Sequence, residues 1–248
     1  MKEAIFYHRA YRKPFFSTRA FLLRLFILVA PLEAALRILY PRLVRLMSSA
    51  AKLAFSCSGP FRGDAPGIGG VFWLPGRYPS RLFSLLLFLL SLLSAPFFFK
   101  SKIAKPIALW LLLISAINLV SAAFFLLAPS SFPWTAQDFS EYYIQTELCI
   151  WALIPFLMGL VLAPMPSGLW TQLGTVLATL LYSMIFGTVR FMVFIYVLSG
   201  ISMAFMPVLF FMFGPLVDFV YIVAAYSLHI SAIAANTRAD PKAWRWLY

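Results

Sequence analysis

Five apolar runs, residues 82–99, 106–128, 142–163, 169–199 and 207–235, set the limits on what this chain can become. Each is long enough to cross about 30 Å of hydrocarbon as a helix rising about 1.5 Å per residue. A backbone surrounded by lipid must satisfy its own hydrogen bonds, which favours helices over irregular chain. The prediction is an all-α, polytopic transmembrane helix bundle. A weaker run, residues 20–40, is interrupted by Arg24, Glu33 and Arg37, the last two one turn apart and able to pair. Read as a span as well, it brings the total to about six. The run 169–199 would reach about 45 Å as a helix and is expected to tilt or protrude. Gly214 and Pro215 are expected to bend the last one.

Charge supplies the orientation. Only 11% of residues are charged against 62% hydrophobic, which excludes an ordinary soluble domain. Sixteen of the twenty Lys and Arg residues precede Pro106, so the net charge of +12 is loaded toward one end. Such a distribution suits anchoring to the cytoplasmic face and to lipid headgroups. It does not suit nucleic-acid binding, because basic and aromatic residues do not interleave in a soluble module. Lys100, Lys102 and Lys105 form a short basic turn that belongs in the cytoplasm. The loop 129–141 then lies outside and both termini inside, as in a multi-pass protein of the cell inner (plasma) membrane. In that loop Trp134 is interfacial, and Thr135 and Asp138 have the spacing of a helix-opening capping box.

Three regions follow. Residues 1–81 form a basic N-terminal region containing the weak span, an amphipathic interfacial stretch at 42–55 and a Gly/Pro-rich loop at 56–80. Residues 82–236 form the transmembrane helical core, and 237–248 a basic cytoplasmic tail. The loop glycines Gly63, Gly67, Gly69 and Gly70 lack the lysine and flanking strand of a phosphate-binding loop. The N-terminus lacks the short apolar core and cleavage site of a removable signal peptide. Cys57 and Cys149 have neither metal-ligand spacing nor matching surroundings, so no disulfide, metal or cofactor is expected.

Within this frame Arg190 is the most informative residue. It lies inside the run 169–199, cannot shed its proton, and needs an anion, a ring of carbonyls or a wet cavity. Counted from the outer helix ends, Cys149 lies about 10 Å deep, Arg190 about 13 Å and Asp218 about 17 Å, with Glu147 slightly shallower than Cys149. Three helices thus deliver ionisable groups to one layer. Glu147 and Cys149 are two positions apart, so at most one faces Arg190 squarely. His229 lies about 16 Å nearer the cytoplasm than Asp218 and reads as a hydrogen-bonded interior residue. The cluster serves either as a structural ion pair fixing helix register or as a site of chemistry.

The order of these residues resembles the exosortase and archaeosortase family of membrane-embedded transpeptidases. The matching segments are Glu147-Leu148-Cys149, Phe186-Gly187-Thr188-Val189-Arg190, Tyr196-Val197-Leu198-Ser199-Gly200 and Phe213-Gly214-Pro215-Leu216-Val217-Asp218, within residues 82–235. The resemblance implies Cys149 as the nucleophile that attacks a sorting signal at the outer membrane face. It implies Arg190 as the group that favours the thiolate and steadies the oxyanion. The family's Ser-Gly after the nucleophile is replaced by Ile150-Trp151, its Asn three residues before the arginine by Gly187, and its histidine by the Gly214-Pro215 neighbourhood. Asp218, with Glu147 beside it in the site, would then be the remaining proton acceptor. A literal Cys-Ser-Gly at Cys57 to Gly59 lies in a loop with no arginine helix forty residues on.

What the resemblance implies is a diverged relative, engaged in envelope protein sorting or processing or acting as a non-catalytic accessory. Its partners would be membrane lipid, a C-terminal sorting-signal helix or other membrane subunits. Two other classes compete. Asp218 and His229 share one stripe of a Gly-Pro-bent helix, as in proton-coupled transporters. Broad aromatic faces would equally suit a structural subunit of a larger membrane complex.

Overall fold

The computed structural model describes residues 18–57, 71–100, 105–165 and 167–238. The N-terminal basic stretch 1–17, loop residues 58–70 with Ser58 and Gly59, the turn 101–104 and the tail 239–248 lie outside the described residues. Seven α-helices follow one another among the described residues: α1 (Thr18–Cys57), α2 (Arg81–Lys100), α3 (Lys105–Leu127), α4 (Ala136–Leu162), α5 (Leu169–Tyr196), α6 (Met206–Phe213) and α7 (Pro215–Arg238). No strand occurs among the described residues.

Among the described residues, five segments are long and apolar enough to cross a membrane: Arg81–Phe98, Lys105–Leu127, Ala136–Leu162, Leu169–Ile201 and Met203–Ile233. That marks a membrane protein. The sixth expected span, 20–40, is not among them. It is also not a separate element from the stretch 42–55, because α1 runs unbroken for 40 residues through Pro31 and Pro41. A proline removes one N–H donor without having to end a helix. Here the Pro41 carbonyl accepts a hydrogen bond from Arg45 Nε at 3.2 Å. Charges spread along α1 at Arg24, Glu33, Arg37, Arg42, Arg45 and Lys52 keep its hydropathy below that of the five spans.

The chain divides into two compact units. The first comprises Met1–Ile38, Trp151–Ser183 and Val220–Tyr248. Within it, Gly159 of α4 lies against α1 so closely that an added Cβ would stand 2.7 Å from Val29 Cγ2. Buried Leu28, Trp151, Ile154, Met158 and Leu162 fill this core. The turn into α5 is tied by buried Gln172, whose amide donates to the Leu162 carbonyl at 2.8 Å and to Ser167 Oγ at 3.0 Å.

The second unit comprises Leu39–Ile150 and Met184–Phe219. Here α2 and α3 pack side by side, with Ser94 Oγ donating to Ser115 Oγ at 2.9 Å. The extended stretch before α2 is pinned to the wide turn after α5. Arg77 N donates to the Leu198 carbonyl at 2.9 Å, and Met203 N to the Arg77 carbonyl at 2.8 Å. α4 opens at Ala136, ahead of the apolar run, because the capping box forms: Asp138 N donates to Thr135 Oγ1 at 3.1 Å and Thr135 N to Asp138 Oδ2 at 2.8 Å. The expected bend appears as the break between α6 and α7 at Gly214, where an added Cβ would collide with the Phe210 carbonyl oxygen.

Candidate functional site

Arg190 is 6% exposed and lies within the second unit, as do all its partners described here. Its neighbours come from α4, from α5 itself and from the break that opens α7. On α4, Tyr143 and Glu147 are four residues apart and so project from one face. The Arg190 Nε donates to the Tyr143 hydroxyl at 2.7 Å, and that hydroxyl donates onward to the Gly187 carbonyl at 3.0 Å. Nη2 bonds Glu147 Oε1 and both oxygens of Asp218, at 2.9 and 2.7 Å. Nη1 donates to the Gly214 carbonyl at 3.1 Å. The guanidinium also lies near the rings of Phe186 and Tyr143, at 5.3 and 5.6 Å from their centroids.

Each contact has a local cause. Gly187 sits one turn before Arg190, and a Cβ there would collide with Glu147 Oε2, so the bare backbone makes room for the carboxylate. Asp218 lies in the first turn of α7, where a carboxylate also complements the positive end of the helix. Both acids are 1% exposed. Water is thereby replaced around a permanent cation by two carboxylates, a phenol and a carbonyl, which is what burial of such a group requires.

The structure therefore brings Glu147, Arg190 and Asp218 together. Cys149, two residues beyond Glu147, is exposed and carries a free thiol. Of the two residues on α4, Glu147 is the one that contacts Arg190. Gly187 supplies space and a carbonyl acceptor. Tyr143 and the Gly214 carbonyl are members that the sequence did not single out. The four-residue spacing from Glu147 is a signal that points to Tyr143; nothing local points to the carbonyl.

His229 belongs to the first unit and has its own surroundings. It is 6% exposed, with Nδ1 at 2.7 Å from Thr175 Oγ1 and Nε2 at 3.3 Å from Ser167 Oγ. It is an interior histidine held by hydroxyls. Among the described residues no three His, Cys, Asp or Glu side chains gather as a metal-ligand set. Comparison with protein families, characterised proteins and solved structures finds no match to this chain.

Proposed function

We propose that this chain is a multi-pass protein of the cell inner (plasma) membrane, with cytoplasmic termini, that serves envelope protein sorting as a non-catalytic accessory on an exosortase-like scaffold. The order of Cys149, Arg190 and the Asp218 segment supports the scaffold. The occupancy of Arg190 supports the absence of catalysis: every nitrogen of the guanidinium already has an acceptor from this chain. Of its five N–H groups only one, the second on Nη1, is left to steady a thiolate or an oxyanion. The cluster then acts as a clamp that fixes α4, α5 and the start of α7. The partner is a sorting-signal helix or a neighbouring membrane subunit.

The test is processing of a tagged substrate carrying a C-terminal signal helix. Cys149→Ser is expected to leave processing intact, and Arg190→Ala to abolish it together with accumulation of the protein. Loss of processing in Cys149→Ser at normal protein level would overturn this reading and make the chain a cysteine peptidase.

A second reading rests on a separate observation. Two carboxylates share one guanidinium, so the cluster has a surplus negative charge unless one carboxyl holds a proton. Buried acids in apolar helices commonly mark proton paths. If the protein couples transport to protons, Asp218→Asn in reconstituted vesicles stops substrate-dependent proton flux. Unchanged flux would sink this second reading.

A further inference from the structure

A cavity of about 440 Å³ opens in the second unit among the end of α3, the loop 132–134 and the first turns of α4 and α6. That volume lies within the ~300–1,000 Å³ of small-ligand sites. Its walls are almost wholly aromatic and aliphatic carbon. Phe139, buried at 3% exposure, forms the floor, while the exposed rings of Trp134, Tyr142 and Phe211 stand around the mouth. Trp134 and Tyr142 meet edge to face, with centroids 5.3 Å apart. The Phe139 ring stacks on Tyr143 at 6.1 Å, so the floor is one ring away from the hydroxyl that accepts from Arg190.

The lining selects the occupant. A peptide inserted here would carry backbone N–H and C=O groups, and these need partners wherever water is absent. The walls offer almost none. A charged headgroup would find no counter-charge among the lining residues. A hydrocarbon chain needs neither, and it is the medium in which apolar spans such as α3, α4 and α6 reside. Trp and Tyr rings favour the headgroup level of a bilayer, which fits a mouth where the apolar chain enters and its polar head stays outside.

We infer that this pocket binds one acyl chain of a bilayer phospholipid. The inference rests on membrane insertion of the apolar helices and is independent of the sorting role. Through Phe139 and Tyr143, the bound chain packs against the same helix face that holds Arg190.

Quenching of the full chain in mild-detergent micelles, into which phospholipid with brominated acyl chains is titrated, tests it. The Trp134 signal is isolated as the difference from Trp134→Phe, and Trp170, 83% exposed at the start of α5, reports ordinary lipid contact through Trp170→Phe. Trp134 is expected to reach half-quenching at a phospholipid-to-detergent ratio about tenfold lower than Trp170, corresponding to a preference of about 1.4 kcal/mol. Phe211→Ser, at the exposed rim, is expected to erase that difference while leaving the Trp170 curve unchanged. If that variant does not fold, Phe132→Ser opens the same wall and carries the same expectation. Coincident curves for the two tryptophans in the unmodified protein overturn the proposal. So does a Trp134 preference that survives the rim substitution. Shielding of Trp134 by a co-purifying polypeptide would also overturn it, since the occupant would then be protein.

Discussion

Arg190 and His229 are both buried on apolar helices, and the chain satisfies them by opposite means. The arginine is met by two carboxylates, a phenol and a carbonyl drawn from α4, from the break at Gly214 and from the first turn of α7. The histidine is met by two hydroxyls, from Thr175 on α5 and from Ser167 just before it. The difference follows from charge. A cation that cannot lose its proton needs ionic company in a medium without water, whereas a neutral imidazole needs one donor and one acceptor. The glycines of α5 differ in the same sense. A Cβ at Gly187 would strike Glu147, while one at Gly174 would meet nothing within 4 Å.

The strongest way to break this contrast is to remove the cation. Arg190→Leu leaves Glu147 and Asp218 buried side by side and is expected to cost about 3–5 kcal/mol, seen as loss of monodisperse protein in mild detergent. Combining it with Glu147→Gln and Asp218→Asn should recover much of the folded yield, because no charge then remains to be compensated. If the triple substitution fares no better than Arg190→Leu, the cluster is not held by charge balance. Next in size, Gly187→Ala should destabilise by about 1–3 kcal/mol through overpacking. Shortening the obstructing side chain with Glu147→Asp should relieve part of that cost, read as a shift in the thermal unfolding midpoint.

His229→Phe removes the two hydroxyl contacts and is expected to cost about 0.5–1.5 kcal/mol for each hydrogen bond lost. Thr175→Val in the same background should add little if the two residues act as a pair, as a double-mutant cycle would show. The smallest effect is expected at Gly174→Ala, a gain of up to about 1 kcal/mol from helix propensity alone. A loss there would mean that the bare backbone at 174 has a role the helix itself does not reveal.

Much of the Arg190 cluster was legible in the sequence, because depth along a helix follows from counting residues. Glu147, Arg190 and Asp218 fall in one layer by that count, and the structure joins them. Tyr143 was legible in principle, one turn from Glu147, but a tyrosine in an apolar helix is too common to stand out. In the sequence Gly187 is an ordinary helix glycine one turn before Arg190. Its contribution is empty space, which has meaning only once Glu147 is in place. In the sequence, residues 20–40 divide from 42–55 by their change from apolar run to alternating charge, whereas one helix runs across that change, because hydropathy sets where a helix lies and not where it ends.

The sequence by itself determined that this chain forms apolar helices and that a cation among them needs anions from its neighbours. Both follow from composition along the chain and from the cost of unsatisfied polar groups in hydrocarbon. Only the tertiary structure decided which side of α4 meets Arg190. Glu147 and Cys149 lie on different sides of one helix, and the apolar residues around them suit a lipid-facing and a protein-facing surface equally well. No local pattern sets the rotation of such a helix about its axis; packing against α5, with Gly187 leaving room for one carboxylate, does.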